Sequence, residues 1–229
     1  MTFVQIKPPP TQWLFPSERD LARLPSDYVA SGADLEPGTL LAAYAAGLFP
    51  MPGPGDRIDW WSPQVRGVMP IGGMRISRRL ATSRRRFEIR VDTAFAEVMV
   101  GCATSRTVGN WIDGPITDAY RRLFEMGWAH SVEAWREDRL VGGVYGVSIG
   151  GLFAGESMFH RESDASKAAL AALVDLLDDG VTGRLFDVQW QTPHLASLGV
   201  VEMSRGDYLT WLKDALALPL PAALDRSLE

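Results

Sequence analysis

Hydrophobic and polar residues alternate with a period of two in three consecutive segments near the middle of the chain. These segments are "HSVEAWRED", "RLVGGVYGVSI" and "GLFAGESMF", and short polar or glycine turns separate them. Strict alternation is typical of half-buried β-strands, and strands joined by short turns pair antiparallel. The pattern therefore predicts a three-stranded antiparallel meander, with a strand before it at "FEIRVD" and another after it at "RLFDVQWQ".

Helical periodicity surrounds this meander. The segments "TAFAEVMVGCAT" and "PITDAYRRLFEMG" precede it, and we expect Thr93 or Asp92 to cap the first helix. A long helix follows from about Ser163 to Asp179, and shorter ones are expected near "PHLASLG" and "SRGDYLTWLKDAL". Helices combined with a hairpin-rich sheet predict the α+β fold class, in an order compatible with the split sheet of N-acetyltransferases.

Proline and glycine punctuate the beginning of the chain. Between them, "LEPGTLLAAYAAGLF" predicts a short helix that begins near Pro37 and ends at Gly47. We expect a small N-terminal α/β domain over residues 1–62 and a larger domain over residues 63–229.

Charge is distributed unevenly along the 229 residues. The net charge is −5, yet residues 75–90 hold seven arginines against one glutamate. One interpretation is a solvated helix face followed by a loop. The other is a phosphate-binding patch, because clustered guanidinium groups neutralise phosphate charge and repel one another when no anion is bound.

Several classes of site and location are disfavoured by composition. The single cysteine, Cys102, excludes an intramolecular disulfide and a cysteine-based zinc cage, and His130, His160 and His194 lack ligand spacing. We therefore expect no metal, and the absence of a P-loop and of a dinucleotide fingerprint favours no cofactor. With no signal-peptide pattern and no run of 18 apolar residues, we expect a cytoplasmic protein without a membrane segment.

The strand "LFDVQWQ" separates two kinds of side chain. One face carries Phe186, Val188 and Trp190, and the other carries Asp187, Gln189 and Gln191. On an exposed strand the polar face is simply solvated. On a central strand, an acid beside an amide must have hydrogen-bond partners or a function.

Glu156 in "LFAGESMF" raises the same two possibilities. Alternation places it on one face with Ala154 and Met158, opposite Phe153 and Phe159. It is either an edge residue that faces water or a carboxylate in a cleft that binds a cation or a substrate amine.

Four blocks of this sequence resemble the leucyl/phenylalanyl-tRNA–protein transferase family. They are "GLFPMPGPGDRIDWWSPQVRGVMP", "GNWIDGPITDAYRRLFEMGWAHSVEAWREDRLVGGVYGV", "GLFAGESMFHRESDASKAAL" and "DVQWQTPHLASLG", and the likeness runs from about Asp34 to Tyr208. The resemblance implies transfer of Leu or Phe (also Met) from aminoacyl-tRNA to proteins that begin with Arg or Lys, which marks them for degradation in bacteria. It also implies a small N-terminal domain followed by an N-acetyltransferase-like (GNAT) domain.

The resemblance further implies three groups of site residues. The catalytic residues are Asp187, Gln189 and Glu156. The aminoacyl pocket is Trp111, Tyr120, Val144, Phe153 and Met51, and Met51 replaces the aromatic residue of familiar members. The tRNA-binding arginines are Arg75, Arg78, Arg79, Arg84, Arg85 and Arg86.

The chemistry expected of such a site is mild, because the aminoacyl ester is already activated and the α-amine has a reference pKa of about 7.7–8.0. We expect Gln189 to orient the amine, Asp187 to hold that arrangement, and Glu156 to bind the amine or the basic side chain of the acceptor. The alternatives are a coenzyme A-dependent N-acetyltransferase and a non-catalytic RNA-binding module. We expect a monomer that does not bind DNA.

Overall fold

The computed structural model describes residues 5–55, 57–105, 112 and 114–225. Helices α1 (Glu18–Arg23) and α2 (Pro37–Ala45) accompany a small sheet of β1 (Tyr28–Ser31), β2 (Phe49–Pro52) and β3 (Ile58–Trp61). Its strand order is β1-β3-β2. The predicted helix start at Pro37 is confirmed, and Gly47, with a φ of 82°, follows its end in the left-handed conformation that favours glycine.

The larger of the two sheets in the described residues has seven strands. Its strands are β4 (Val65–Met69), β5 (Glu88–Val91), β6 (Ala129–Arg136), β7 (Arg139–Ile149), β8 (Leu152–His160), β9 (Leu185–Gln189) and β10 (Val201–Ser204). They lie in the order β10-β4-β9-β8-β7-β6-β5. The predicted meander β6-β7-β8 and the predicted strands β5 and β9 are confirmed.

Most of the remaining described helices contact this sheet. The remaining helices are α3 (Arg78–Ser83), continued by a 3-10 turn at Arg84–Arg86, then α4 (Phe95–Thr104), α5 (Gly114–Glu125), α6 (Ala165–Leu177), α7 (Pro193–Ser197) and α8 (Arg205–Leu216). One core cluster includes residues of α2, α4, α5 and α8, and a second includes residues of α6. The α+β class is therefore confirmed, whereas the division at residue 62 stays a prediction.

The start of α4 differs from the sequence prediction. The N-cap is Ala94, and Asp92 and Thr93 precede it. The backbone N–H of Ala94 donates to the buried Glu133 carboxylate (2.8 Å), and the Thr93 hydroxyl donates to the same carboxylate. The Glu133 carboxylate of strand β6 therefore accepts the hydrogen bonds at the start of α4 that a local capping side chain was expected to accept.

The pairing of β8 with β9 positions the candidate site. These two strands run parallel, whereas every other pairing between described strands is antiparallel. Their pairing ends at Ala154 and Asp187, although β8 continues to His160. Beyond that point the polar residues Glu156 and Gln189 face a cavity between the two strands.

Candidate active site

Two β-bulges change the faces that simple alternation predicts. On β8, Ser157 pairs with Tyr145 and Gly155 with Gly146, so Glu156 is the extra residue. The prediction that Glu156 and Met158 share one face is therefore wrong. Ala154 and Phe159 belong to one core cluster, whereas Phe153 and Met158 belong to or pack against the other.

The second bulge is on β9. Asp187 pairs with Val68 and Gln189 with Gly67, which leaves Val188 as the extra residue. Phe186 and Val188 pack in one core cluster, but Trp190 packs against the other, where its ring contacts Phe49. The expectation that Trp190 shares a face with Phe186 is therefore wrong, because the strand ends at Gln189 in a left-handed conformation (φ 65°).

Asp187 is fully buried and its carboxylate is saturated with donors. Arg66 of β4 donates to it twice, from Nε to Oδ1 (2.9 Å) and from Nη2 to Oδ2 (2.5 Å). The Tyr208 hydroxyl donates to Oδ2 (3.0 Å) and the backbone N–H of Gln189 donates to Oδ1 (2.8 Å). The bidentate arginine neutralises the charge of Asp187, so this carboxylate is a fixed ionic anchor.

Arg66 is itself buried and held from several sides. It donates from Nη1 to the carbonyl oxygen of Gly47 (3.1 Å). Its guanidinium carbon lies 4.4 Å from the centre of the Tyr208 ring and 5.0 Å from that of Phe49. Burial disfavours the charge, but Asp187 more than offsets this, so the pKa of Arg66 is raised above its ordinary value.

Glu156 lies in a second group of hydrogen-bonded side chains, beside the group formed by Arg66, Asp187 and Tyr208. Its partners come from α2, α5 and β9. Its Oε1 accepts from the Tyr44 hydroxyl (2.7 Å) and from Nε2 of Gln189 (3.1 Å), and its Oε2 accepts from the Tyr120 hydroxyl (3.1 Å). The two tyrosine hydroxyls also contact each other. Because each carries a single proton, both donate to the ionised carboxylate only while neither donates to the other. Three donors from different parts of the chain thus hold one carboxylate just beyond the point where β8 stops pairing with β9.

Burial dominates the protonation of this group. It raises the pKa of Glu156 to about 7, even though the hydrogen bonds from Tyr44, Tyr120 and Gln189 favour the ionised form. Burial and the neighbouring carboxylate also raise the pKa of both tyrosines, so these remain protonated donors. Near neutral pH, Glu156 can therefore exist in either protonation state.

Gln189 connects the two groups. Its backbone is fixed by Asp187, and its side chain donates to Glu156. A left-handed conformation in a residue other than glycine costs about 1–2 kcal/mol. This backbone conformation occurs at the residue where the chain leaves the strand, and it lets the Gln189 side-chain amide reach Glu156.

A cavity of about 480 Å³ opens at these groups, a volume within the range of small-ligand sites. Its walls are largely apolar: Met51, Val144, Met158, Leu170, Phe186, Val188, Trp190 and Leu195. Glu156 and Gln189 supply a polar end. The cavity can therefore bind an apolar side chain and present a reactive polar group to a carboxylate and an amide.

The residues expected in an aminoacyl pocket occupy different places. Met51 and Val144 line the cavity. Tyr120 lies behind Glu156 as its donor, and Phe153 packs edge-on against Phe186, so neither lines it. Trp111 lies outside the described residues.

The arginine-rich segment forms α3 and the following 3-10 turn. Among its predicted tRNA-binding residues, five are exposed: Arg75, Arg78, Arg79, Arg85 and Arg86. Arg84 is partly buried and pairs with Asp175 of α6 (3.2 Å). The segment thus presents a positive surface on the side of the sheet that α6 covers. This surface fits a solvated helix face as well as a phosphate-binding patch.

Two kinds of feature are absent from the described ranges. No group of three or more His, Cys, Asp or Glu residues there is arranged to hold a metal ion. No helix in the same ranges is long and apolar enough to cross a membrane.

Sequence reasoning missed Arg66, Tyr44 and Tyr208. Arg66 interrupts the apolar run "VRGVM", and such a lone charge in a buried strand indicates a buried partner. Tyr44 lies among the apolar residues of "LEPGTLLAAYAAGLF", the segment that predicts α2. Its hydroxyl is the informative group, because a buried tyrosine hydroxyl usually has a hydrogen-bond partner.

Comparison with known proteins gives matches along most of the chain. Residues 68–213 match the family model described as leucyl/phenylalanyl-tRNA protein transferase, and residues 33–64 match the model of its N-terminal domain. A leucyl/phenylalanyl-tRNA–protein transferase of Thiobacillus denitrificans is 48% identical over 199 residues, which cover 85% of this chain and 87% of the relative. Proteins of the same name from Shigella dysenteriae (46% identical over 209 residues) and Escherichia coli (45% over 210 residues) each cover 90% of this chain, which covers 89% of each.

Proposed function

This chain belongs to the leucyl/phenylalanyl-tRNA protein transferase family, and from that premise we propose that it transfers leucine or phenylalanine, and also methionine, from aminoacyl-tRNA to proteins that begin with arginine or lysine. The α-amine of the acceptor attacks the ester carbonyl, an amide bond forms, and the ester bond to the tRNA breaks. The new N-terminal residue marks the acceptor for degradation by the N-end rule in the bacterial cytoplasm. The enzyme acts as a monomer and needs no cofactor and no DNA.

The observation that carries this proposal is the hydrogen bond from Gln189 to Glu156 at the polar end of an otherwise apolar cavity. The apolar walls suit a leucyl or phenylalanyl side chain, and the ester carbonyl then lies toward the two polar groups. Because effective catalysis of an activated ester depends mainly on positioning, a fixed amide beside a carboxylate is the chemistry that this reaction needs.

Gln189 orients the attacking amine. Its Nε2 is engaged by Glu156, and its carbonyl oxygen makes no hydrogen bond with the described residues, so this oxygen accepts from an N–H of the amine. Asp187 acts through Gln189, because four donors from Arg66, Tyr208 and the Gln189 backbone already occupy its oxygens. Asp187 is therefore a positioning residue.

Glu156 accepts the proton that the acceptor ammonium must lose. Its pKa of about 7 lies close to the reference pKa of an α-amine, about 7.7–8.0, so proton transfer between them is nearly balanced. That proton then passes to the leaving oxygen of the tRNA, which becomes a hydroxyl. The second proton, which the nitrogen loses as the amide forms, is taken up by Glu156 and released to water. Tyr44 and Tyr120 hold the carboxylate in place during both steps.

The architecture around the site supports an N-acetyltransferase-like catalytic domain. In it, the parallel strands β8 and β9 stop pairing beyond Ala154 and Asp187, and the cavity lies where they separate. The exposed arginines of α3 and the following turn supply the surface that binds the tRNA body, since each phosphate contact releases counterions.

The test is transfer of labelled phenylalanine from charged tRNA to a peptide that begins with arginine, with acetyl-coenzyme A as the alternative donor. We expect transfer from charged tRNA only. Gln189→Ala should lower kcat about 100-fold with little change in KM, because positioning acts on the chemical step. Near-normal turnover of this variant at saturating substrates would refute the assignment of Gln189, and acetyl transfer would favour the N-acetyltransferase alternative.

A further inference from the structure

A second cavity, of about 370 Å³, adjoins the first at the beginning of α6. The two cavities share Met158 and His194 as wall residues. Beyond this shared wall the lining changes from apolar to polar and charged: Arg79, His160, Ser163, Asp164, Ser166 and Lys167. A ligand in the apolar cavity can therefore extend directly into a polar one.

Two cations reach this second cavity from different elements. Arg79 of α3 donates from Nε to Asp164 (3.3 Å) and from Nη2 to the hydroxyl of Ser163 (3.1 Å). Lys167 of α6 donates to the other oxygen of Asp164 (3.2 Å). One carboxylate thus positions two positive charges and neutralises only one of them, so the wall keeps a net positive charge.

The beginning of α6 adds further donors. Asp164 precedes the helix in a left-handed conformation (φ 69°), and its side chain does not cap it. The backbone N–H groups of Ser166 and Lys167 form no hydrogen bonds with the described residues. The helix has 13 residues, so its aligned peptide dipoles place a partial positive charge at this end.

Ser166 points independently to a ligand. It is only 5% exposed and lines the second cavity, yet its hydroxyl has no hydrogen-bond partner in the ranges that the structure describes. The hydroxyl lines the cavity without a partner among the described residues, so it can donate to an acceptor oxygen of a group bound there.

We propose that the second cavity binds a phosphodiester group of the single-stranded 3′ end of the donor tRNA. Ser166 and the first backbone N–H groups of α6 donate to the phosphate oxygens, and Lys167 and Arg79 neutralise its charge. The inference rests on the proposed transferase activity. It extends that activity by separating a subsite for the 3′ end from the arginine surface that binds the tRNA body.

The test compares three phenylalanyl donors: the full charged tRNA, its 3′-terminal trinucleotide, and aminoacylated adenosine, which carries no phosphate. Lys167→Gln and Ser166→Ala are the variants. Lys213→Gln on the exposed face of α8 is the matched control for loss of a lysine charge. A variant with Arg84, Arg85 and Arg86 all changed to Gln distinguishes binding of the tRNA body from binding of its 3′ end.

We expect Lys167→Gln to raise KM for the trinucleotide about tenfold, as a lost charged hydrogen bond does, and to leave KM for aminoacylated adenosine unchanged. In this variant the affinity for the trinucleotide should also depend less on salt: the slope of log affinity against log salt concentration should become about 0.7 less steep. Ser166→Ala should act in the same direction. The triple arginine variant should impair the full tRNA but not the trinucleotide.

Equal effects of Lys167→Gln on all three donors would overturn the subsite, because they indicate a general structural change. Unchanged KM for the trinucleotide in both variants would also overturn it, while transfer by the wild type would leave the proposed function standing. Failure of the wild type to use any of the three donors would overturn both proposals.

Discussion

Replacing Glu156 by glutamine removes the buried carboxylate but keeps its shape and most of its hydrogen-bonding capacity. In the folded protein, burial raises the pKa of Glu156 from 4.5 to about 7. The folded state therefore retains a proton that the unfolded state loses above pH 4.5. As a result, the contribution of Glu156 to the unfolding free energy is greatest at low pH, decreases as the pH rises toward 7, and is constant above that.

The magnitude follows from the two pKa values. Each pH unit between 4.5 and about 7 corresponds to about 1.4 kcal/mol, so the full effect is about 3 kcal/mol. Most of this falls between pH 5 and 8. The unfolding free energy of Glu156→Gln, measured against wild type, should therefore rise over that interval by roughly 2–3 kcal/mol.

Urea unfolding of both proteins at pH 5, 6, 7 and 8 measures this difference directly. Glu202→Gln, on the exposed strand β10, is the matched control for loss of a carboxylate without burial. A difference between Glu156→Gln and wild type that does not vary with pH would refute the argument, because it would mean that burial does not dominate the protonation of Glu156.

Two further predictions concern the anchor and the apolar cavity. Asp187→Asn leaves the buried Arg66 without its counter-charge and should lower the unfolding free energy by about 3–5 kcal/mol. Asp175→Asn, which breaks only the exposed pair with Arg84, should change it by less than about 1 kcal/mol, and equal losses would contradict the role of burial. Val144→Met narrows the cavity and should lower the ratio of kcat/KM for phenylalanyl over leucyl donors about tenfold, which competition between the two charged tRNAs measures; an unchanged ratio would exclude Val144 from the pocket.

Local pattern was sufficient for the elements from β5 to β9 and for part of the candidate site, whereas it did not predict β4, β10 or the strands of the small sheet. The alternation in "HSVEAWRED" and "RLVGGVYGVSI" predicted strands β6 and β7, because side-chain period depends only on neighbouring residues. The polar face of β9 drew attention to Asp187 and Gln189 for the same reason. Both residues are buried, as a central strand requires.

The site partners, by contrast, are remote in sequence. Tyr44 and Glu156 are separated by 112 positions, and Arg66 and Asp187 by 121. No periodicity carries information over such distances, so the pairing of Arg66 with Asp187 and the enclosure of Glu156 by two tyrosines were not predictable from local pattern. Whether Glu156 faces water or a cleft was also not predictable from local pattern. Its exposure depends on α2 and α5, which supply the two tyrosines that contact it.

By itself, the sequence determined the order of the elements from β5 to β9, the arginine cluster and the blocks shared with one family, because each of these depends on residues close together in the chain. Only the tertiary structure decided which faces those residues occupy. A single extra residue on β8 reverses the alternation after Glu156, and another on β9 precedes the turn of Gln189 out of its strand. Those two bulges, together with the contacts across the sheet, bring a carboxylate with a pKa of about 7 and a fixed amide to one cavity.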